Sequence, residues 1–294
     1  MKVIPNVSQA GIPKVTIPKT GKSLLMAGPK EAMVKKPYTV RVIYIVPVDA
    51  EPWPEMQSRA LEILEDLQWF FAVEMDRLGY GPKTFEIAFD EEGALDFHQL
   101  NSEETKKQFE VDPRESSKRV VGGRQKKEDN VELCFVEVYS INNDELSGVF
   151  AKTKRQRCYL SSLYLKLTNR EWLGNDMGYA GKTFPWIIPQ PMTENILSWN
   201  GRGKALGDVS GSAYGVIAHE LAHAFGLGHN ISEDDERERK GHLMGLGVRG
   251  FRGVFRPDLT GDSCVLSKRD AELLNDNPFF AVRNLKPKSS AFRV

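Results

Sequence analysis

From Tyr38 the chain changes character on a two-residue period: Val40, Val42, Tyr44 and Val46 fall on one parity, Arg41, Ile43 and Ile45 on the other. Apolar residues on both parities predict a strand buried on both faces. Pro47 and the pair Pro52 and Pro54 end it, because proline supplies no ladder N–H. The period then shifts to 3.6 over Glu55 to Arg77, where Leu61, Ile63, Leu64, Leu67, Phe70, Phe71, Val73 and Met75 form a broad apolar stripe before Gly79. That is the signature of a long amphipathic helix with a glycine terminator. Thr84 to Phe89 alternates again and predicts a second strand, as does Val131 to Val138. Between them, residues 101–130 are dense in Lys, Glu, Asp and Arg and predict a solvated helix-and-loop excursion. Tyr159 to Leu167 and Thr183 to Ile188 are two further expected strands, separated by many Gly, Pro and Asn residues. A last helical pattern runs from about Ala213 to Phe225, with Tyr214, Ile217, Ala218, Leu221 and Phe225 facing a core and Ser210 or Ser212 as its cap. Residues 1–37 are rich in Pro, Gly and Lys without a period and predict an extended or flexible lead-in. Strand, helix and further strands ahead of a final helix imply an α+β fold, a mixed sheet with helices packed on it.

Composition narrows the function. Forty basic and forty acidic residues give zero formal net charge, which argues against nucleic acid and against polybasic membrane binding. No apolar run is long enough for a membrane span, and the N-terminus lacks the apolar core of a signal peptide. Cys134, Cys158 and Cys264 are too widely spaced for a disulfide scaffold or a paired-cysteine zinc site, and read as small buried hydrophobes.

The chemistry lies in residues 219–229, His-Glu-Leu-Ala-His-Ala-Phe-Gly-Leu-Gly-His. His219 and His223 are four apart, so on a helix both rings leave one face and reach a single ion at about 2.0–2.1 Å. Glu220 stands roughly 100° round the helix, wrong for a third ligand and right for holding a water beside the metal. Gly226 can end the helix in a left-handed conformation and return the chain so that His229 becomes the third ligand. Three ligands leave one position open, as a catalytic zinc requires. Three of the five histidines fall within these eleven residues; a chance match to the five fixed positions has odds on the order of one in 10⁵ from ordinary residue frequencies. His98 and His242 are expected to have surface roles. The acidic run Glu233 to Glu236 and the pair Asp258 and Asp262 lack a calcium-loop spacing and read as solvated charge, so one zinc ion is the expected cofactor and calcium is unsupported.

The string His219-Glu220-x-x-His223-x-x-Gly226-x-x-His229 resembles the signature of the metzincin metalloproteases, and His242-Leu243-Met244-Gly245 resembles the methionine-bearing turn found beneath the metal in that clan. The resemblance implies a zincin-like fold over residues 38–280. It would have a larger N-terminal lobe (38–229) and a smaller C-terminal lobe (230–280) flanking a zinc cleft, then a tail (281–294). The small lobe would close with a helix from Lys268 to Leu274, capped by Ser267 with Asp270 in its first turn. It implies a zinc endopeptidase, with His219, His223 and His229 as ligands and Glu220 as the base that activates a water and passes its proton to the leaving amine. A monomer acting on an extended peptide, secreted or extracellular, is the corresponding expectation. Substrate would pair with an edge strand around Gly203, Ala205 and Leu206, while Gly245 to Gly250, with Leu246 and Val248, would wall a partly apolar pocket. Arg249 and Arg252 there would favour acidic partners. Asn230 after the third histidine, the absence of a tyrosine soon after Met244, and the absence of cysteine from the lead-in depart from the best-known families. The segments Leu78 to Phe85 and Leu266 to Phe280 resemble a little-characterised bacterial reprolysin- or matrixin-like group. Two rival readings are a catalytically silent fold used for binding, against which the intact Glu220 argues, and a zinc hydrolase of a non-protein substrate.

Overall fold

Thr39–Val46 forms the first strand, β1, and every residue from Val40 to Val46 is buried, as its apolar side chains on both parities require. In the computed structural model, which describes residues 38–122, 129–142, 145–178, 180, 205–229, 241–258 and 264–283, β1 lies at the centre of the main sheet. The other strands are β2 (Lys83–Thr84), β3 (Glu86–Ile87), β4 (Phe97–Asn101), β5 (Asn130–Val136), β6 (Ser140–Asn142), β7 (Glu145–Ser147), β8 (Ala151–Lys154), β9 (Arg157–Ser161) and β10 (Ala281–Val282). The helices are α1 (Met56–Arg77), α2 (Lys106–Val111), α3 (Pro113–Gly122), α4 (Ser162–Leu167), α5 (Arg170–Leu173), α6 (Leu206–Ala224), α7 (Arg252–Phe255) and α8 (Lys268–Asn275), with a 3₁₀ turn at Gly247–Gly250. The lead-in 1–37, the expected strand Thr183 to Ile188, Gly203, Asn230 and the acidic run Glu233 to Glu236 lie outside the described residues.

The sheet runs β3-β1-β5-β9-β8, with β4 also pairing β1. Its pairings are parallel except the last, where β8 lies antiparallel to β9 and forms the sheet's end. One face carries Val40, Val42, Tyr44, Leu133 and Phe135 against α1 and α6, in the larger core cluster. The opposite face carries Ile43, Ile45, Cys134, Val136 and Tyr159, covered by Phe109 of α2 and Val121 of α3. The excursion at 101–130 is therefore more than a solvated detour. Thr105 and Gln108 close a capping box on α2, and Phe109 and Val121, with the partly buried Leu100, Val120 and Phe150, pack on this face of the sheet. All three cysteines are buried and free, and no helix among the described residues is long and apolar enough to cross a membrane.

Three expectations need correction. Tyr159 to Leu167 is half strand and half helix: the Ser161 hydroxyl accepts the Leu163 N–H at 3.3 Å and starts α4. The strand expected over Thr84 to Phe89 is two short pieces, and β4, which contributes five residues of pairing to β1, carried no clean alternation. The site helix begins seven residues before Ala213, so Ser210 and Ser212 are buried inside it rather than capping it. Gly207, Gly211 and Gly215 explain both the miss and the helix. Glycine lowers helix propensity, yet these three, four residues apart, let the Arg252 guanidinium lie on α6 at Gly207 and other backbone lie on it at Gly211 and Gly215. A Cβ at Gly211 would sit 2.7 Å from the Arg252 amide nitrogen, and one at Gly215 1.9 Å from the Val248 carbonyl oxygen. Arg252 locks this contact through Asp208 at 2.8 Å and the Leu173 carbonyl at 3.0 Å, with a further ion pair to Asp176. The 3₁₀ turn is thereby seated against the helix that carries the histidines.

Candidate metal centre

The helix α6 ends at Ala224, and Gly226 adopts φ +93°, in the left-handed region that glycine tolerates without strain. Its amide donates to the His223 carbonyl at 2.9 Å and that of Leu227 to the Ala222 carbonyl at 3.1 Å, closing the helix end. The returning chain brings His229 to the face from which His219 and His223 project. The Nε2 atom of His229 lies 3.2 Å from that of His219 and 3.1 Å from that of His223.

The outward ring nitrogens settle the tautomers. Nδ1 of His219 sits 2.8 Å from the Leu243 carbonyl and Nδ1 of His223 2.8 Å from the Leu227 carbonyl. A carbonyl only accepts, so each Nδ1 carries the proton and each Nε2 presents a lone pair to the cluster. Burial, reinforced by the two neighbouring imidazoles, pushes His219 down to about 4 against the opposing hydrogen bond to Leu243, so that ring is neutral near pH 7. Lone pairs converging at 3.1–3.2 Å repel unless a cation sits among them. Tetrahedral zinc at about 2.0–2.1 Å from each nitrogen would set them about 3.3 Å apart. The donor set fits zinc, and among the described residues it is the one group of three side chains within reach of a common ion.

Glu220 is buried. Burial foremost raises its carboxyl above the usual range, opposed by a hydrogen bond from Thr153 and by His223 and His229. The Thr153 hydroxyl lies 2.6 Å from Glu220 Oε2 and 2.9 Å from the Glu220 carbonyl. Thr153 belongs to β8, the sheet's end strand, so this hydroxyl ties the edge strand to the carboxylate beside the histidines. Sequence reasoning missed it. β8 is four residues long, Ala-Lys-Thr-Lys, and nothing about a lone threonine some sixty-seven positions upstream marks it. Replacing Thr153 with valine, nearly the same shape without the hydroxyl, should lower turnover of any reaction Glu220 serves by about 10-fold, the scale of one lost charge-assisted hydrogen bond. Serine should restore it, and steady-state kinetics on the two variants checks this.

Met244 is fully buried. With Leu246 and Val248 it lines a cavity of about 690 Å³ shared with His219, Glu220 and His229. The turn before it closes through the Gly245 amide to the His242 carbonyl at 2.9 Å, and the Leu243 carbonyl of that turn orients His219. The rest of the lining is Val149, Phe150 and Ala151 at the start of β8, Tyr164 of α4, Val216 of α6, and Gly245. Ala205 and Leu206 are not an edge strand: Leu206 is buried as the first residue of α6, and Ala205 makes a single bridge to Gly178. The Asp208 carboxylate accepts the Ala205 amide at 3.3 Å, which suits an acidic group at a helix N-terminus. Arg252, expected to face a ligand, is instead buried in its ion pairs. His98 pairs with Asp96 at 2.8 Å, and Asp258 with Arg256 at 2.8 Å.

No family model matches the chain, and no curated protein is similar to it in sequence. Its architecture is a mixed α/β one with a mostly parallel sheet, and that architecture recurs among solved structures. Wild-type OgpA from Akkermansia muciniphila is similar with a TM-score of 0.52 at 18% identity, over 89% of this chain and 67% of OgpA. Catalytically inactive OgpA in complex with an O-glycopeptide substrate, glycodrosocin, gives 0.51 at 19% identity, over 84% of this chain. In that comparison this chain spans 63% of OgpA's length. Archaemetzincin from Methanopyrus kandleri is more distant, with a TM-score of 0.36 at 14% identity over 82% of this chain and 96% of its own.

Proposed function

We propose that the chain is a zinc-dependent peptide hydrolase of metzincin type, with residues 38–280 as its catalytic region. The observation that carries this is the convergence of three imidazoles beside a buried carboxylate, at the mouth of an apolar cavity and next to a sheet edge. The fold shared with OgpA, which was solved with a glycopeptide substrate, supports a peptide as the molecule acted upon.

His219, His223 and His229 would hold the metal, the first two oriented by the Leu243 and Leu227 carbonyls. Bound there, zinc supplies Lewis acidity, lowering the pKa of water toward neutrality and polarising a carbonyl. Glu220 takes the proton of the attacking water and returns it to the departing amine. Thr153 holds Oε2, leaving Oε1 for that proton. The raised proton affinity that burial gives Glu220 suits a group that must first accept a proton and then release it. The end strand β8 offers backbone groups to an extended peptide, taking the place expected of residues 203–206. The cavity walled by Val149, Phe150, Val216, Leu246 and Val248 accepts a bulky apolar side chain. Buried Met244 supports the turn that carries Leu243.

Metal analysis of the purified full chain should find one zinc per molecule, and His223→Ala should lose it, since two imidazoles bind far less tightly than three. A wild-type protein that takes up no zinc from a zinc-supplemented buffer would remove the basis of this reading.

A further inference from the structure

The two sides of the cleft differ in chemistry. One is the apolar cavity already described. On the other, a cavity of about 460 Å³ is lined by Arg114, Lys152, Thr153 and Arg155 together with Glu220 and the same three histidines. Lys152 and Lys154 are the exposed residues of β8. Arg155 follows in the turn to β9 with φ +55°, the one described non-glycine residue in left-handed backbone. That conformation favours glycine or asparagine, yet an arginine occupies it and lines the cavity. From α3, Lys118 pairs with Glu115, and Arg114 lies 3.9 Å from the same carboxylate. Arg114, Lys152 and Arg155 thus line the cavity, and Lys118 and Lys154 lie within electrostatic reach of Arg114 and of one another. Lys152, Lys154 and Arg155 form no ion pair among the described residues. Repulsion from the α3 cations is visible at Lys154, whose ammonium is held below its usual range by Arg114 foremost and by Lys118 next. In a chain of zero net charge, this is a local positive field focused in a concavity beside the metal centre.

We propose that the substrate is a polypeptide with acidic side chains on one flank of the cleaved bond, seated against Lys152, Lys154, Arg155 and Arg114. Its other flank is apolar and lies in the opposite cavity. The proposal rests on the peptide-hydrolase reading. A peptide fits better than a nucleic acid because the cations bracket a strand edge, whose N–H and C=O groups match another extended backbone, and do not extend into a long basic surface. The arginines add directional recognition of carboxylates.

The test uses the zinc-loaded full chain and three short fluorescein-labelled peptides with a common apolar core. One is neutral, one has an Asp/Glu block before the core, and one has the block after it. One acidic peptide, and not the other, should be cleaved about tenfold more efficiently than the neutral one, the scale of two or three exposed ion pairs. High salt should shrink that advantage, and the double variant Lys152→Glu with Arg155→Glu should abolish it. Equal rates for the three peptides, or an advantage that salt and the double variant leave intact, would overturn the proposal. If no peptide is cleaved, the hydrolase reading falls separately. Fluorescence anisotropy on the same peptides then decides this one: salt-sensitive tighter binding of one acidic peptide supports it, and equal binding refutes it.

Discussion

Glu220→Gln should lower kcat on a peptide substrate by about 10²–10⁴-fold, the contribution of a positioned general base, with little change in KM and no loss of zinc. Glutamine keeps the size of glutamate, and its carbonyl can still accept the Thr153 hydroxyl that now lies 2.6 Å from Oε2. The imidazoles and their carbonyl partners are untouched, so the metal should bind as before. What disappears is the ability to take a proton from water and return it to the amine. A fall in kcat and kcat/KM together would place the lost interaction in the transition state. Undiminished turnover in the variant would show that another group is the base, and the roles assigned along β8 and α6 would fail with it.

The largest expected effect on stability is at Asp66 of α1. Its side chain is fully buried, accepts Nε and Nη2 of Arg170 at 2.9 and 2.6 Å, and accepts the Tyr214 hydroxyl at 2.9 Å. One carboxylate thus joins the long helix to α5 and to the site helix. Burial foremost, then the Asp66 charge, pushes the Tyr214 phenol far above its ordinary range, so that group stays a neutral donor at any working pH. Asp66→Ala would leave a buried hydroxyl and a partly buried guanidinium without this acceptor. Breaking such a pair costs about 3–5 kcal/mol; Arg170, with a side chain 35% exposed, recovers some hydration, so about 3 kcal/mol is expected. Urea denaturation should show the midpoint fall with an unchanged slope. A variant as stable as the wild type would mean that the network positions α6 without contributing to folding.

What the sequence made legible divides along a physical line. β1, α1, β5 and α8 were readable because each carries its own periodicity or cap over consecutive residues. The Ser267–Asp270 capping box is present with an oxygen-to-amide distance of 3.1 Å, and β1 shows apolar residues on both parities. The segments that failed are those whose state is decided from outside. α6 begins at Leu206 despite three glycines, because Arg252 and Val248 need the space that side chains would occupy. β4 is a strand because β1 has an open edge to pair with, and α4 interrupts an apolar run because Ser161 caps it. The same division holds at the site. The three histidines and Glu220 are legible because one helix turn and one glycine bring eleven consecutive residues to a point. Thr153 and Phe150 reach that point only through the end of the sheet and Tyr164 only through α4, and the basic rim of Lys152, Lys154 and Arg155 becomes a feature only once β8 lies beside the triad.

The central claim is metal-dependent peptide hydrolysis at the His219, His223 and His229 centre. It is tested most directly by following cleavage of a reduced and alkylated protein through removal and return of zinc. The structure predicts cleavage by the zinc-loaded chain, its loss with a chelator, its recovery with one equivalent of zinc, and no recovery in Glu220→Gln. Cleavage that survives chelation, or a zinc-loaded chain that cuts no peptide bond, would contradict it.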